Sequence, residues 1–503
     1  MINTIISYLK STAERFPDKI AFCDAEKSIT FGELNRCAQS LACKIYRNLN
    51  GGMQKAIGVY LPKGVDCIIA FMAVAYSGNY YTPIDISMPE SRYEKIIHTL
   101  NPKLMLTTQT LVEKIKNTNT LILEDNISDE TDTAILEKIE NTAIDTDVLY
   151  VMFTSGSTGD PKGVIISHRA VIDYIDWVTD TFHFNETTIF GNQAPFYFDN
   201  SVLDIYSTIR NGCTMVIIPE EKFLSGMRLC TFIEEKKINT IFWVPSAMIL
   251  VANTQALDNV SIDCLKYILF AGEVMPTKQL NIWRKHIPNA VYANLYGPTE
   301  IAVDCTYYIV DREFQDTESL PIGKACRNTG VLVLNDNGQP VKEGEVGELC
   351  VRGSCVALGY YGNSDKTKEA FVQNPLNKNY PEIIYKTGDL VKYNEHGEIL
   401  YVGRKDFQIK HRGYRIELGE IETAVSSFEN VEMCCAMYDQ EDKKIVVYVT
   451  PNELDKKKLY IHLKERLPQY MMPGLIITQE KLPLNKNGKI DRTVLRERMN
   501  DKI

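Results

Sequence analysis

Phe153-Thr-Ser-Gly-Ser-Thr-Gly-Asp-Pro-Lys-Gly163 is the stretch that decides the fold class, and it follows the strand-like run Val148 to Met152. Its glycines allow close backbone approach, its hydroxyl and amide groups can bond anionic oxygens, and Lys162 adds a positive charge. The Ser and Thr residues precede the lysine, so the segment differs from the phosphate loop G-x-x-x-x-G-K-S/T. Ordinary surface loops also cluster Ser, Thr and Gly. We interpret this segment as a polyphosphate-binding loop after a strand.

Short β-rich runs alternate with helical spacing on both sides of this loop. Runs such as Ala56 to Leu61, Thr214 to Ile218 and Thr240 to Val244 are separated by helical patterns such as Phe31 to Ile45 and Cys67 to Tyr76. Strands that alternate with helices indicate parallel sheets covered on both faces. The sequence therefore predicts an α/β fold whose large N-terminal domain contains doubly wound sheets.

The pattern changes from Gly323 onward to shorter β-like runs with turn signals such as Asp336-Asn337-Gly338. This part predicts a β-rich, barrel-like section. After Gly403-Arg-Lys-Asp406 the chain returns to strand and amphipathic helix, including a helical pattern from Leu459 to Arg466. We therefore expect an N-terminal core over residues 1–405 and a small α+β subdomain over residues 406–503, which is long enough to fold on its own.

Composition excludes several classes of function. The 503 residues are 45% apolar and 24% charged, as in an ordinary globular protein, and the net charge of −10 argues against nucleic-acid binding or a polybasic membrane contact. The thirteen cysteines show no repeating spacing, which favours reduced thiols. The N-terminus lacks a signal-peptide pattern, and no apolar run is long enough to span a bilayer. We expect a cytoplasmic protein without membrane insertion and, because the histidines show no ligand spacing, without zinc.

Further motifs follow the loop in a fixed order, and together they resemble the adenylate-forming superfamily. That superfamily includes nonribosomal-peptide adenylation domains, acyl-CoA synthetases and D-alanine:carrier-protein ligases. The resemblance covers nearly the whole chain, and Ile29-Thr-Phe-Gly-Glu-Leu34 and Tyr80-Tyr-Thr-Pro-Ile-Asp85 match its amino-acid-activating members. The ordered motifs are Tyr296-Gly-Pro-Thr-Glu300, Tyr385-Lys-Thr-Gly-Asp-Leu390, Gly403-Arg-Lys-Asp406, Arg412-Gly-Tyr-Arg-Ile-Glu-Leu-Gly-Glu-Ile-Glu422 and Asn487-Gly-Lys-Ile-Asp-Arg492.

The resemblance implies that a carboxylate attacks the α-phosphorus of ATP, which yields an acyl-adenylate and pyrophosphate. The protein must then neutralise phosphate charge and orient two anions that repel each other. By resemblance, Thr299 contacts the α-phosphate and Glu300 binds Mg²⁺, a hard ion that prefers oxygen ligands. Asn294 would bond the adenine amino group, Tyr296 would stack on the ring, and Asp389 would accept both ribose hydroxyls. The other nucleotide-binding residues that the motifs imply are Thr154, Ser155, Gly156, Ser157, Thr158, Gly159, Lys162, Leu295, Gly297, Pro298, Tyr401 and Arg404.

Lys489 is the residue that we expect to carry the adenylation step. Its single ammonium on a long stem can bridge the substrate carboxylate and the phosphate as charge moves between them. Family members hinge at the position of Asp406, which implies a mobile C-terminal subdomain that removes Lys489 after adenylation. Gly413 would then lie beside the phosphopantetheine thiol of a carrier protein.

Phe198-Asp-Asn-Ser201 is the best indication of the acid that is activated. In amino-acid-activating relatives the aspartate at the position of Asp199 pairs with the substrate α-ammonium. A small pocket with a carboxylate at Asp304 favours a small residue such as serine, alanine or threonine. The pocket residues that the family's positions imply are Asp199, Asn200, Leu203, Phe242, Leu269, Ala271, Leu295, Val303, Asp304 and Lys489.

Two enzymatic interpretations remain open. Asn192-Gln-Ala-Pro-Phe196 resembles D-alanine:carrier ligases, but those enzymes tend to carry cysteine at Ala271 and an apolar or small residue at Asp304. His411-Arg-Gly-Tyr-Arg and Leu418-Gly-Glu are closer to peptide-synthetase adenylation domains. We therefore predict a stand-alone enzyme that activates a small amino acid and transfers it to a separate phosphopantetheinylated carrier protein. The alternative is the D-alanine–carrier protein ligase of teichoic acid D-alanylation.

A non-enzymatic relative, such as a nucleotide sensor or a scaffold, is a third class of function. The residues that would be expected to degenerate in such a protein are intact, namely Lys162, Glu300, Asp389 and Lys489. We therefore disfavour this class.

Overall fold

The computed structural model describes residues 4–124, 130–156, 160–484 and 490–500. The chain forms two compact units, and the last division between them falls between Lys405 and Asp406. Unit 1 contains Met1–Ile86, Leu100–Met152 and Gly163–Lys405, and unit 2 contains Ser87–Thr99, Phe153–Lys162 and Asp406–Ile503.

The strands are short, and most of them lie in unit 1. In chain order they are β1 (Ile20–Cys23), β2 (Ser28–Thr30), β3 (Ala56–Val59), β4 (Tyr80–Pro83), β5 (Leu104–Thr107), β6 (Thr120–Ile122), β7 (Val148–Thr154), β8 (Lys162–Ser167), β9 (Ile189–Asn192), β10 (Thr214–Ile217), β11 (Thr240–Trp243), β12 (Tyr267–Phe270), β13 (Val291–Tyr296), β14 (Thr306–Ile309), β15 (Lys324–Ala325), β16 (Thr329–Leu334), β17 (Gly347–Gly353), β18 (Phe371–Gln373), β19 (Ile383–Tyr393), β20 (Ile399–Arg404), β21 (Gln408–His411), β22 (Tyr414–Glu417), β23 (Met433–Asp439), β24 (Lys444–Thr450) and β25 (Leu475–Thr478).

The helices connect these strands. They are α1 (Ile5–Arg15), α2 (Phe31–Asn48), α3 (Val65–Tyr76), α4 (Glu90–Leu100), α5 (Thr133–Glu140), α6 (His168–Phe182), α7 (Asn200–Asn211), α8 (Gly226–Glu235), α9 (Pro245–Asn253), α10 (Ala256–Asn259), α11 (Thr277–His286), α12 (Ser364–Ala370), α13 (Leu418–Ser426), α14 (Lys456–Lys464) and α15 (Arg492–Asn500).

Two largely parallel sheets form the α/β part of unit 1. The nine-stranded sheet has the order β15-β14-β13-β12-β11-β9-β10-β1-β2, and its central strands from β13 to β1 are parallel. The six-stranded sheet has the order β6-β5-β3-β4-β7-β8. Helix α3 is buried along almost its whole length, which explains why its sequence is apolar on every side. Among the helices of the described residues, none combines the length and hydropathy needed to cross a membrane.

The β-rich section of unit 1 is an antiparallel sheet in which β16, β17, β19 and β18 are neighbours and β20 pairs with β19. Unit 2 contains the β21–β22 hairpin and a sheet of β23, β24 and β25, which packs with α13 and α14 around an apolar core of its own. The α/β fold with a smaller α+β C-terminal part is confirmed.

Candidate active site

The predicted amino-acid pocket lies where strands of the nine-stranded sheet end. Phe242 on β11 is the register partner of Leu269 on β12, and β13 lies beside β12 with Leu295 near its end. Ala271 follows β12, and its N–H donates to Trp243 O at 3.3 Å. Ligands of open α/β sheets bind at the carboxyl ends of parallel strands. The apolar pocket residues are all buried, namely Leu203, Phe242, Leu269, Ala271, Leu295 and Val303.

Asp199 and Asn200 begin the helix α7 at this pocket. Asp199 is buried at the N-cap position, and its charge contributes to the raised pKa values of Tyr150 and Tyr174, for which burial is the main cause. Asn200 Nδ2 lies 3.9 Å from the place where a Cβ at Gly272 would stand, and it has no hydrogen-bond partner within the described residues. The start of α7 therefore brings a carboxylate and an amide donor to the predicted pocket on one helix turn.

Asp304 has a phenol partner that the motifs did not reveal. Tyr174 on α6 donates from its hydroxyl to Asp304 Oδ2 at 2.6 Å, and both residues are buried. The backbone before Asp304 is unusual, since Val303 has a φ of +84° and β-branched residues rarely adopt positive φ. A Cβ at Gly297 would stand 2.3 Å from Val303 O. Only glycine at position 297 therefore lets this turn approach the end of β13.

The predicted ribose site is a hydrogen-bonded network around Asp389 in β19. Tyr296 donates from its hydroxyl to Asp389 Oδ2, and Arg404 Nη1 donates to Asp389 Oδ1 at 3.0 Å. Burial and the adjacent Asp389 raise the pKa of Tyr296. The Tyr401 ring lies 6.4 Å from the Tyr296 ring, centroid to centroid. The network joins the Tyr-Gly-Pro-Thr-Glu motif to the later motifs that contain Asp389 and Arg404.

Other predicted nucleotide-binding residues lie at the end of β13 and in the turn after it. Asn294 Nδ2 donates to Pro321 O at 2.8 Å, which leaves the side-chain oxygen as the group suited to accept an adenine amino hydrogen. Glu300 is fully buried and accepts a 2.8 Å hydrogen bond from the Tyr360 hydroxyl. Thr299 begins the single helical turn that contains Glu300.

The described part of the Gly-rich loop lies in unit 2, against the Arg412–Glu422 segment. Ser155 Oγ donates to Arg415 O at 2.8 Å, and Lys162 Nζ lies 3.9 Å from a Glu417 carboxylate oxygen. The Gly156 N–H donates a hydrogen bond to Glu420. Burial raises the pKa of the Glu420 carboxyl, although nearby cations oppose this shift. Thr154 Oγ1 donates to Lys162 O at 3.5 Å. The loop groups that are predicted to bind anions thus contact carboxylates or a carbonyl of the same unit.

Ser157, Thr158, Gly159 and Lys489 lie outside the described residues. Asp406 is exposed at the start of the last segment of unit 2, and Gln408 N–H donates to its Oδ1 at 3.2 Å. In the described part of the chain, no cluster of three or more His, Cys, Asp or Glu side chains is placed to hold a metal.

Sequence reasoning missed Tyr174 and Tyr360, which bond two of the predicted acidic residues. Tyr174 is part of an ordinary amphipathic helix, and Tyr360 stands in a Gly-Tyr-Tyr stretch without a known signature. Both contacts join residues far apart in the chain, separated by 130 and 60 positions. No local pattern could have found them.

The parallel sheets, the strand-end pocket and the Asp389 network define an adenylate-forming enzyme, as the motifs predict. The chain belongs to the AMP-binding enzyme family, whose model matches residues 9–361. The model of the AMP-binding enzyme C-terminal domain matches residues 420–489. The predicted resemblance to the adenylate-forming enzymes is therefore confirmed.

Curated relatives include proteins that match over nearly their whole length and much longer synthetases. The D-alanine–D-alanyl carrier protein ligase of Bacillus licheniformis is 32% identical over 98% of this chain and 99% of its own. Zwittermicin A synthase ZmaJ of Bacillus cereus is 32% identical over 96% of this chain and 92% of its own. Tyrocidine synthase 3 of Brevibacillus parabrevis is 33% identical over 97% of this chain, and the matched region is only 7% of the length of that synthase. This chain covers 19% or less of the length of three large synthetases that it matches.

Solved structures share the fold. The Vibrio cholerae adenylation domain AlmE, solved with glycyl-adenosine-5'-phosphate, superposes with a TM-score of 0.85 at 21% identity over 100% of this chain and 99% of its own. PA1221, a protein with adenylation and carrier domains, superposes with a TM-score of 0.83 at 22% identity over 99% of this chain and 84% of that one. At this identity the likeness supports the fold alone.

Proposed function

We propose that this protein activates a small amino acid as an aminoacyl-adenylate and transfers it to the phosphopantetheine thiol of a separate carrier protein. The observation that carries the proposal is that β13 and the turn after it supply residues to both predicted sites. Leu295 and Val303 are buried residues of the predicted amino-acid pocket, whereas Asn294 and Glu300 are residues of the predicted nucleotide site. This arrangement suits a substrate carboxylate held beside the α-phosphate of ATP.

Glu300 is the residue that we propose as the protein's ligand for Mg²⁺. Its carboxylate supplies the hard oxygen that this ion prefers, and the remaining ligands would come from phosphate oxygens and water. Mg²⁺ would neutralise phosphate charge when bound. Asp389 would receive the ribose hydroxyls in place of the Tyr296 hydroxyl, and Arg404 would keep that carboxylate oriented. We place the reaction in the cytoplasm, where ATP is available.

A pyrophosphate-exchange panel with L- and D-amino acids tests this proposal. We expect exchange that depends on both Mg·ATP and one small amino acid. Absence of exchange with every amino acid, from protein that still binds ATP, would favour a nucleotide-sensing or scaffold role instead.

The D-alanine–carrier protein ligase remains the second candidate. It is favoured by Asn192-Gln-Ala-Pro-Phe196 and by the 32% identity to such a ligase over the full length of both chains. The same panel separates the two candidates, because a ligase of this kind would prefer D-alanine to L-serine and L-threonine.

Replacement of Asp304 by alanine tests the polar side of the pocket. A site that hydrogen-bonds a polar group rejects analogues without it, by factors of about 10⁴ in favourable cases. We expect the wild type to prefer serine or threonine to alanine, and Asp304→Ala to remove most of that preference by harming the hydroxylated substrate. The kcat/KM values for serine, threonine, L-alanine and D-alanine on both proteins provide the measurement.

Tyr174→Phe is the matched variant for this experiment, since it removes the hydroxyl bonded to Asp304 Oδ2 and leaves the carboxylate in place. It should keep a preference for the hydroxylated substrate. A wild-type preference for D-alanine that Asp304→Ala leaves untouched would discard the pocket hypothesis and favour the second candidate.

Replacement of Asp406 by proline tests the proposed hinge. Proline fixes φ at about −65° and restricts rotation at this position. We expect thiol transfer to fall while single-turnover adenylation is retained, because the hinge is required only for the change between the two half-reactions. Rapid-quench measurements of adenylate and thioester provide the test, with Asp406→Ala as the control that leaves φ unrestricted. Equal slowing of both steps would contradict the hinge role.

A further inference from the structure

Two buried polar side chains meet between the end of β9 and the helix α7. Asn192 Nδ2 donates to Asp204 Oδ2 at 2.8 Å, and both residues are 0% exposed. Within the described residues, the second oxygen of each side chain, Asn192 Oδ1 and Asp204 Oδ1, has no hydrogen-bond partner. A buried acceptor without a donor is costly, and native proteins avoid it. Asn192 Oδ1 and Asp204 Oδ1 are two such acceptors next to one hydrogen bond, which indicates that a hydrogen-bond donor is required between them.

A proton on the Asp204 carboxyl would supply that donor. An ionised carboxylate only accepts hydrogen bonds, whereas a protonated carboxyl carries one O–H donor. Burial raises the pKa of Asp204 to about 8, and the opposing effects of the Asn192 amide and of Lys63 are smaller. At neutral pH the carboxyl therefore retains its proton.

Lys63 is the charged group that acts on Asp204, and it has another partner. Its Nζ donates to Gln193 O at 3.0 Å and lies 5.6 Å from the centroid of the Phe196 ring. Burial lowers the pKa of Lys63 to about 8, and the charge of Glu220 opposes this shift. Across the described ranges, no ion pair joins Lys63 to Asp204. The Lys63 ammonium thus hydrogen-bonds the backbone of the loop after β9, and the Asp204 carboxyl hydrogen-bonds Asn192 instead.

The position of the pair connects it to the amino-acid pocket. Asn192 is the last residue of β9 and is held in the sheet beside Ile217 of β10. Asp204 lies on the second turn of α7, directly after the turn that contains Asp199 and Asn200. The pair therefore joins the two ends of the loop 193–198 and holds the start of α7 against the sheet.

We propose that Asp204 is a neutral carboxylic acid that forms a doubly hydrogen-bonded acid–amide pair with Asn192, and that this pair positions Asp199 and Asn200 for the amino acid. The carboxyl O–H donates to Asn192 Oδ1 while Asn192 Nδ2 donates back. Asp204 acts through α7 and is a positioning residue. The kinetic part of the inference rests on the proposed function, whereas the protonation state does not.

The variants Asp204→Asn and Asp204→Leu test the pair. An asparagine amide can donate where the acid O–H donates and accept where the acid accepts, so Asp204→Asn should keep the amino-acid KM within about twofold of wild type. Leucine fills similar space but makes neither hydrogen bond. We expect Asp204→Leu to raise the amino-acid KM about tenfold, the scale of a lost buried hydrogen bond, with a smaller change in the KM for ATP.

Thermal unfolding across pH gives a second readout. A carboxyl whose pKa rises on folding from 3.8 to about 8 makes the native state less stable as pH increases through that range, because the unfolded chain releases its proton first. Asp204→Asn removes this loss. The Tm of Asp204→Asn minus that of wild type should therefore widen from pH 4 to pH 8 and then stay constant.

The outcomes separate the proposal from its alternatives. A flat Tm difference, or an amino-acid KM in Asp204→Asn as high as in Asp204→Leu, would show that the ionised carboxylate is the working form and overturn the neutral acid. Wild-type KM values in both variants would overturn the positioning role. If the wild type exchanges no pyrophosphate with any amino acid, the proposed function fails, and the Tm comparison still decides the protonation state.

Discussion

Asp199→Ala is expected to lower amino-acid activation by about three orders of magnitude while ATP still binds, because several kcal/mol are lost when an ammonium stays unpaired in a desolvated pocket. Asp199 is buried at the start of α7, so water cannot replace the carboxylate as a partner for the substrate. Its charge already acts on the phenols of Tyr150 and Tyr174. Pyrophosphate exchange and calorimetric titration with ATP and with the amino acid provide the measurement.

Asp180→Ala is the matched control for this prediction. Asp180 is another aspartate in a helix of unit 1, but it is exposed and pairs with Arg327 on the surface, where ion pairs contribute little. It should leave exchange and both affinities unchanged. If Asp199→Ala weakened ATP and the amino acid equally, the cause would be a folding defect, and the assignment of Asp199 would be wrong.

The strands at the site could be predicted from the sequence because their boundaries are set locally. The run Thr240 to Val244 differs from β11 by one residue, and Thr214 to Ile218 differs from β10 by one. Both runs are rich in β-branched and apolar residues and end near a Pro or a polar residue. The helical pattern Phe31 to Ile45 begins at the first residue of α2, where Thr30 and Glu33 form a capping box.

Helix starts with charged first turns were harder to predict. The amphipathic pattern indicates a helix from Leu459 to Arg466, whereas α14 begins at Lys456. Asp455 caps this helix by accepting from the N–H groups of Lys457 and Lys458 at 3.0 and 3.1 Å. A run of lysines has no apolar periodicity, so hydrophobic spacing detects the helix only from its first buried residue, Leu459.

The family motifs identified most candidate site residues, but not the contacts between them. The sequence separates Tyr296 from Asp389 by 93 positions, and only the fold shows that they share a hydrogen bond. The protonated Asp204 is a stronger case, because its raised pKa depends on complete burial beside Asn192. Burial of that kind is a property of the packed sheet and helix, and no short pattern encodes it.

Lys489→Ala is expected to lower adenylate formation by about 10³, the scale of a lost transition-state charge contact. Two anions must approach each other in this step, and a single ammonium on a long side chain is the group best suited to neutralise both as charge moves between them. Single-turnover formation of aminoacyl-adenylate measures the effect. Transfer from a supplied aminoacyl-adenylate to the carrier should survive, because Lys489 is proposed to act only in the first half-reaction.

Lys481→Ala, which removes an exposed lysine, is the control. Exchange at a near wild-type rate in Lys489→Ala would remove this lysine from the mechanism and leave Lys162 as the cation to test next.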